Sequence, residues 1–130
     1  GGSVLMGENS IDGAVREVNE ELGLTVDKEK LTLFTSYKRE LYKDFVDVYI
    51  YKNDIDVSKL TLQKDEVCDV KWATEDEISQ MILSGEFINI NNSQYVNEIL
   101  IWVKNGNGHT KLMWPFLIFY YLTLTFKVFE

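Results

Sequence analysis

The stretch from Gly2 to Leu24 reads GSVLMGENSIDGAVREVNEELGL, and this stretch decides the fold. Gly2 is followed after five residues by Glu8, and after seven more by the run REVNEELGL at residues 16–24. Apolar side chains recur at steps of four, three and four, a spacing that places them on one helical face; they are Ile11, Val15, Val18 and Leu22. The stretch therefore predicts an amphipathic helix that buries this face.

The sequence also predicts where this helix begins and ends. Ser10 is a suitable amino-terminal cap, and Asp12 then falls in the first turn, where the helix dipole favours negative charge. Gly23 suits the left-handed position that ends a helix. We therefore expect a helix from about residue 10 to residue 22.

A second face of this helix carries three carboxylates. Glu17, Glu20 and Glu21 are spaced three and four residues apart, so they lie within one turn of each other and repel. A hard divalent cation offsets this repulsion, and Mg²⁺ takes oxygen ligands. On its own, the pattern E-x-x-E-E also fits a solvated acidic face. The carboxylates alone therefore favour the solvated face, and a site for Mg²⁺, with Mn²⁺ as a substitute, is the alternative.

The fixed spacing of these residues resembles the Nudix box, the signature of the Nudix hydrolases, and matches all nine of its specified positions. The resemblance implies an α/β/α sandwich around a mixed sheet and hydrolysis of nucleoside or other diphosphates linked to a second group. It implies that Glu17, Glu20 and Glu21 hold the metal together with the backbone carbonyl of Gly1. It further implies that these glutamates and Arg16 are the catalytic residues.

Glu8 and Glu66 are two further residues of the predicted site. The guanidinium of Arg16 has a fork that binds carboxylates, and we expect it to contact Glu8 and Glu20 and so fix the loop over the helix. By resemblance, a further glutamate outside the box assists the metal or serves as base. Glu66 is our candidate, with Asp65 as the substitute, and an ordinary loop carboxylate is the alternative.

The remainder of the chain predicts strands first and then helices. Residues 31–37, 45–51 and 66–72 are rich in β-branched and aromatic residues or alternate in polarity, as strands do. The charged linker KRELYKD predicts a hairpin or a longer loop. Its basic side chains either are solvated, which is the preferred interpretation, or contact phosphate; they are Lys38, Arg39 and Lys43. Thr74 begins a capping box for a helix through Leu83, and Ser93 is expected to cap a final helix. Cys68 reads as a small buried hydrophobic residue.

Composition limits the class of protein. A chain of 130 residues with 45% hydrophobic content fits one domain. The net charge of −8 argues against nucleic acid as a partner, because that binding depends on clustered Lys and Arg. The single cysteine permits no internal disulfide, and the start has no signal peptide, so we expect a cytoplasmic protein. The expected partner is a small diphosphate, and a homodimer is one expected assembly.

The two ends of the sequence shape the expected domain organisation. By resemblance, several strands precede a Nudix box, so we assign residues 1–104 to a Nudix domain that is truncated at its amino terminus and incomplete there. Residues 105–130 form an apolar tail, interpreted as an extra strand or a non-native extension. Its apolar run of fifteen residues is too short for a membrane-spanning helix, which needs about 20.

Two alternatives to hydrolysis stay open at this point. A catalytically incomplete Nudix-like fragment would still bind metal or ligand without turnover. The stretches YKRELYKDFVDVYIY and EVCDVKW are also similar to the isopentenyl-diphosphate isomerase branch of the family. Those isomerases depart from the strict box, which is intact here. Hydrolysis is therefore the preferred interpretation.

Overall fold

The computed structural model describes residues 3–86, 94–105, 112–116 and 125–129. In these ranges the helices are α1 (Ser10–Leu22), α2 (Glu75–Ser84) and α3 (Gln94–Lys104). The strands are β1 (Leu31–Arg39), β2 (Asp44–Tyr51), β3 (Asp69–Ala73), β4 (Leu112–Phe116) and β5 (Thr125–Phe129). Two single turns of 3₁₀ helix, Lys28–Lys30 and Val57–Lys59, lie in the connections.

The described strands form two antiparallel groups. One has the order β1-β2-β5 and the other pairs β3 with β4. The charged linker is a hairpin as predicted, since Arg39 pairs with Asp44 at its mouth and Leu31 with Tyr51 at the far end. A β-bulge interrupts the register between Leu33 and Thr35. The bulge changes which side chains of β1 face each helix, because two residues then oppose one.

Helices cover both faces of β2. Val46 and Val48 point to one face and are buried against α3. Tyr51, on the opposite face, packs on the cluster that contains Val18 and Leu22 of α1. Strand side chains alternate between faces, so a single strand contacts a helix on each side. The expected α/β fold with helix, sheet and helix layers is confirmed, and the strand pairings described are antiparallel.

The helix after β3 forms as its sequence predicts. Thr74 caps α2 in a complete capping box with Glu77, and Gly85 ends the helix in a left-handed conformation with φ of 79°. Ile78 and Met81 are buried against Ala73 of β3. The predicted cap of the final helix, Ser93, lies outside the described residues.

Three local predictions need correction. Asn9, not Ser10, caps α1, and Ser10 is the first helical residue. The strand predicted from Glu66 begins at Asp69, because the backbone of residues 64–66 forms a turn. Cys68 follows this turn and is half-buried, not buried.

The tail contributes two of the described strands. β4 pairs with β3, and β5 pairs with residues 44–48 of β2 and lies against α1. The alternation from Leu122 predicts a strand, and β5 covers its second half. The assignment of residues 105–130 as a separate unit stays a prediction. Within the part of the chain described, no helix is long and apolar enough to cross a membrane.

Candidate metal centre

Helix α1 is capped at both ends. A side chain caps its first turn, and a glycine in the left-handed conformation ends it. Asn9 Oδ1 accepts from the amide of Asp12 at 2.9 Å, which satisfies one of the free N–H groups of the first turn. The Lys28 ammonium forms an ion pair with Asp12. At the other end Gly23 has a φ of 63°, and its N–H donates to Asn19 O. The carboxylates of this helix are therefore carried on a well-anchored element.

A contact from the sheet also holds the first turn of α1. The Tyr49 hydroxyl of β2 donates to Ser10 Oγ at 3.0 Å, across 39 residues of sequence. Sequence patterns do not predict this contact, because they identify Tyr49 only as an aromatic residue in a strand. It fixes the helix against the face of the sheet that carries Tyr49.

Arg16 gathers the acidic side chains near the start of the site. Its Nε and Nη2 donate to the two carboxylate oxygens of Glu8 at 3.0 and 3.1 Å, and Nη2 also donates to Ser3 O at 2.9 Å. Its Nη1 donates to Glu17 at 2.7 Å and to Glu20 at 3.1 Å. The contacts expected for Arg16 with Glu8 and Glu20 are present, and the contact with Glu17 is an addition.

These contacts shift the proton equilibria of both partners. Hydrogen bonds from Arg16 and from the Leu5 amide lower the pKa of Glu8 below its usual value. Hydrogen bonds to Glu8 and Glu17 raise the pKa of Arg16 above its usual value. The pair is therefore fully charged at neutral pH, and it ties the loop of residues 3–9 to α1.

Glu21 has a different environment from its neighbours. It is only 2% exposed, whereas the side chain of Glu20 is 54% exposed. Burial raises the pKa of the Glu21 carboxyl, and the like charges of Glu17 and Glu66 act in the same direction. Glu66, which contributes to this shift, lies on a separate loop.

The loop that carries Glu66 is attached to the end of α1. Thr61 N donates to Leu22 O at 3.0 Å, and Gln63 N donates to Glu21 O at 2.8 Å. Val67, next to Glu66, is fully buried in the cluster formed with Val18 and Leu22. Sequence analysis missed the roles of Thr61 and Gln63, because nothing in a polar loop signals which distant carbonyls it will meet.

Two basic residues of the hairpin, Arg39 and Lys38, have protein partners. Arg39 Nε donates to Asp44 at 2.8 Å, and its guanidinium lies 4.6 Å from the centre of the Tyr42 ring. Lys38 forms an ion pair with Glu40 at 3.5 Å. Arg39 is therefore committed to the hairpin itself.

The carboxylates on α1 offer oxygen ligands, the type that a hard divalent cation takes. Among the residues that the structure describes, no three His, Cys, Asp or Glu side chains form a ready-made metal group. Glu17 and Glu20 are instead turned toward Arg16. Mg²⁺ is commonly held by one or two carboxylates together with water and substrate phosphates, so a closed protein cage is not required. Gly1, the predicted backbone ligand, lies outside the described residues.

Comparison with known proteins gives the family. A family profile described as "NUDIX domain" matches residues 1–91. The chain belongs to the Nudix family. The arrangement of Glu17, Glu20, Glu21 and Arg16 on one capped helix is thus that of a Nudix box, with Glu8 joined to it by the preceding loop.

Curated relatives agree with this assignment. The chain is 42% identical over 87 residues to an uncharacterized Nudix hydrolase of Listeria innocua, a match that covers 67% of this chain and 50% of the relative. The figures for an uncharacterized Nudix hydrolase of Listeria monocytogenes are the same. For one of Clostridium acetobutylicum they are 32% identity over 87 residues, 62% of this chain and 42% of the relative.

The extent of these matches has two limits. The chain spans about half the length of the curated relatives it matches. No solved structure matches it. The Nudix domain is therefore shown by sequence, and the geometry of its box is taken from the present structure.

Proposed function

We propose that this chain catalyses Mg²⁺-dependent hydrolysis of a diphosphate linkage in a nucleoside-diphosphate-linked or other small diphosphate substrate. One observation carries the proposal. Glu21 is only 2% exposed on the Nudix box helix that also carries Glu17 and Glu20, and its backbone carbonyl accepts from Gln63 N at 2.8 Å in the loop that leads to Glu66. Carboxylate oxygens grouped on one helix face are the ligands that Mg²⁺ takes in proteins.

The proposed ligands are Glu17, Glu20 and Glu21, with the Gly1 carbonyl from the predicted set and Glu66 as an additional carboxylate. Mn²⁺ is expected to substitute for Mg²⁺. When bound, such a cation neutralises phosphate oxygens and makes a water molecule more acidic. Glu20 and Glu21 are assigned as the essential ligands, and Glu17 as a ligand or the base.

Arg16 acts on the same site without contacting the reacting atoms. It holds Glu17 and Glu20 through Nη1 while its other nitrogens bind Glu8 and Ser3 O. A side chain that fixes the ligands of a metal raises the fraction of time they spend in productive geometry. Arg16 is thus proposed to orient the carboxylates and the loop of residues 3–9.

A carboxylate as base requires a position close to the water and an ionised state. Glu17 is proposed for this role because of its place on α1 beside Glu21, and general-base catalysis contributes about 10²–10⁴-fold to rate. Glu66 is the alternative base, since its loop is attached to Glu21 O through the amide of Gln63 at 2.8 Å.

The proposal is tested by Mg²⁺-dependent hydrolysis of a mixed panel. The panel contains nucleoside triphosphates, ADP-ribose, NADH, dinucleoside polyphosphates and isopentenyl diphosphate. The chain, its Glu21→Gln variant and the matched control Glu29→Gln are compared, because Glu29 is an exposed carboxylate outside the site. Turnover that is lost with Glu21→Gln or EDTA and kept with Glu29→Gln supports the proposal.

The same panel separates the alternatives. A folded chain that gains thermal stability from Mg²⁺ but turns over no substrate is a metal-binding fragment. Isomerisation of isopentenyl diphosphate without release of phosphate identifies the isomerase branch. Either result overturns the proposed hydrolysis.

The proposed setting is the cytoplasm, with a small diphosphate as the partner and neither nucleic acid nor a membrane. The acidic net charge of −8 supports the exclusion of a phosphate backbone as a large partner. Homodimer formation is part of the proposal and is measured by light scattering after size-exclusion chromatography.

A further inference from the structure

Two adjacent apolar side chains are exposed in the loop before α1. Leu5 is 56% exposed, and Met6 is fully exposed. A single exposed apolar residue is ordinary on a protein surface. These two are neighbours, and they lie in the loop of residues 3–9 that Arg16 ties to α1. They therefore offer apolar surface in a segment that is joined to the Nudix box helix.

The backbone that carries these side chains is a closed turn. Glu8 N donates to Leu5 O at 3.0 Å, and Leu5 N donates to Glu8 Oε2 at 2.9 Å. Gly7, the third residue of the turn, has a φ of 83°, as a type II turn requires. Neither hydrogen bond uses the side chain of Leu5 or Met6. The turn therefore fixes the backbone of both residues and leaves their side chains available to a ligand.

A short series of contacts connects the turn to the carboxylates of α1. Glu8 Oε2 accepts from Leu5 N at 2.9 Å and from Arg16 Nη2 at 3.1 Å. Arg16 Nη1 donates to Glu17 at 2.7 Å. Hydrogen bonds of about 3 Å each make this a path on the order of 10 Å from the Leu5 amide to the Glu17 carboxylate. A substrate whose phosphates lie at the α1 carboxylates can therefore reach the turn with the group that its phosphates carry.

The composition of the turn favours one kind of group. Residues 3–7 read SVLMG and contain no ionisable side chain. The charges that border the turn, Glu8 and Arg16, bind each other through two hydrogen bonds. A further phosphate or a carboxylate would therefore find no counter-charge on these five residues. Apolar surface gains free energy when it leaves water, and the flexible thioether of methionine adapts to ligands of varied shape.

We propose that Leu5 and Met6 bind the group attached to the substrate diphosphate, and that this group is an uncharged hydrocarbon chain. The inference rests on the proposed function, because it requires the phosphates to be held at the α1 carboxylates. Leu5 and Met6 determine specificity in this role. They contact the hydrocarbon and take no part in breaking the bond between the phosphates.

The test compares three prenyl diphosphates, which differ only in the number of isoprene units. They are dimethylallyl, geranyl and farnesyl diphosphate, and hydrolysis of each gives a prenyl phosphate and inorganic phosphate. Release of phosphate in Mg²⁺ gives kcat/KM. The value for geranyl diphosphate should exceed that for dimethylallyl diphosphate about tenfold. Each methylene that leaves water entirely strengthens binding about fourfold, and two side chains cover only part of the added unit.

Two variants keep the approximate size of the side chain and remove its apolar character. Met6→Gln and Leu5→Asn should each lower kcat/KM for geranyl diphosphate about fivefold, and should change the value for dimethylallyl diphosphate less than about twofold. Leu83→Asn is the matched control, since Leu83 is an exposed leucine on α2. It should leave both values within about twofold of wild type. A variant that merely damaged the turn would lower both values equally.

The results separate this inference from the proposed function. If the folded wild-type chain hydrolyses none of the wider panel and no prenyl diphosphate, both fail. If it hydrolyses nucleotides but gains nothing between dimethylallyl and geranyl diphosphate, the inference alone fails. Equal losses on both prenyl substrates in Met6→Gln and Leu5→Asn would also overturn it. If Met6→Gln changes the mass measured by light scattering and leaves both kcat/KM values unchanged, the exposed pair is an interface between copies of the chain, and the inference is overturned.

Discussion

Arg16 holds Glu8 by two parallel hydrogen bonds, from Nε and Nη2 to the two oxygens of one carboxylate at 3.0 and 3.1 Å. The remaining nitrogen, Nη1, binds Glu17 and Glu20. One planar group thus connects the loop before α1 to the proposed metal ligands. Lysine has the same charge but cannot form this two-point contact.

Arg16→Lys is therefore expected to lower kcat/KM about 10- to 100-fold, the usual effect of losing a group that orients metal ligands. The Tm should change little, because the positive charge is kept. Steady-state hydrolysis of the substrate identified from the panel measures the effect. Lys59→Met is the control, as Lys59 forms an exposed ion pair with Asp56 far along the chain. A kcat/KM for Arg16→Lys within twofold of wild type would contradict the orienting role.

The buried carboxylate of Glu21 is expected to lower the stability of the metal-free protein. Burial and the charges of Glu17 and Glu66 raise its pKa above the ordinary value of 4.5. The folded state therefore favours the protonated carboxyl, and this stability is fully present below pH 4.5 and is lost as the pH rises through the raised pKa. Without metal, Glu21→Gln should have a higher Tm than wild type at pH 8, by roughly 3 °C, and the difference should vanish at acidic pH.

The measurement is thermal unfolding in EDTA across pH 4 to 8. Glu29→Gln, which neutralises an exposed carboxylate, should follow wild type at every pH. Addition of Mg²⁺ at pH 8 should then raise the Tm of wild type and leave Glu21→Gln unchanged, since a ligand stabilises only the state that binds it. A Glu21→Gln variant less stable than wild type at pH 8 would contradict this expectation, because the ionised carboxylate would then not destabilise the folded protein.

Arg39 is expected to matter for stability and not for phosphate binding. Its partner Asp44 is only 1% exposed, so removal of Arg39 leaves a buried carboxylate with less compensation. Arg39→Met should reduce the free energy of unfolding by about 3 kcal/mol, the usual cost of breaking a buried ion pair from one side. Urea unfolding measures this loss. Lys38→Met, at the neighbouring exposed position, should cost less than about 0.5 kcal/mol.

The activity of Arg39→Met distinguishes the two roles that the sequence left open. If the guanidinium contacted substrate phosphate, KM would rise while the protein remains folded. If its function is to neutralise Asp44, KM at a temperature well below the transition should match wild type. The structure favours the second outcome, because the guanidinium binds Asp44 and packs against Tyr42.

The sequence predicted what depends on local patterns. The bounds of α1 follow from apolar periodicity and Gly23, and the capping box of α2 follows from Thr74 and Glu77. The predicted cap of α1 is wrong because Asn9 and Ser10 are both good caps and adjacent. The choice between them depends on where the chain turns into the helix, which the sequence pattern does not contain.

Features that depend on distant contacts could not be predicted from residue patterns. The turn at residues 64–66 replaces the start of the expected strand because Gln63 O accepts two amides there and Val67 enters the core. The position of Glu66 near the end of α1 depends on the same loop, whose amides at Thr61 and Gln63 donate to Leu22 O and Glu21 O. The role of Glu66 was suggested by family resemblance, and the backbone contacts that support it are visible only in three dimensions.

The strand β5 provides the last prediction, because it pairs with β2 and lies against α1. It pairs with residues 44–48 of β2, from Asp44↔Phe129 to Val48↔Thr125. A chain ending at Leu124 would leave this edge of β2 without a neighbour, and exposed strand edges promote association. If β5 is a native strand, the shortened chain should lose several kcal/mol of stability, about 3 or more, and should aggregate.

Light scattering and urea unfolding of the shortened chain test this expectation. A chain with Lys127→Glu is the matched variant, since it changes one residue of β5 and keeps the backbone that pairs with β2. It should remain monodisperse and lose less than about 1 kcal/mol. A chain ending at Leu124 that is as stable and as monodisperse as the full chain would identify the tail as an extension that the Nudix domain does not need. Loss of Mg²⁺-dependent stabilisation together with β5 would instead show that the strand supports the box helix against which it lies.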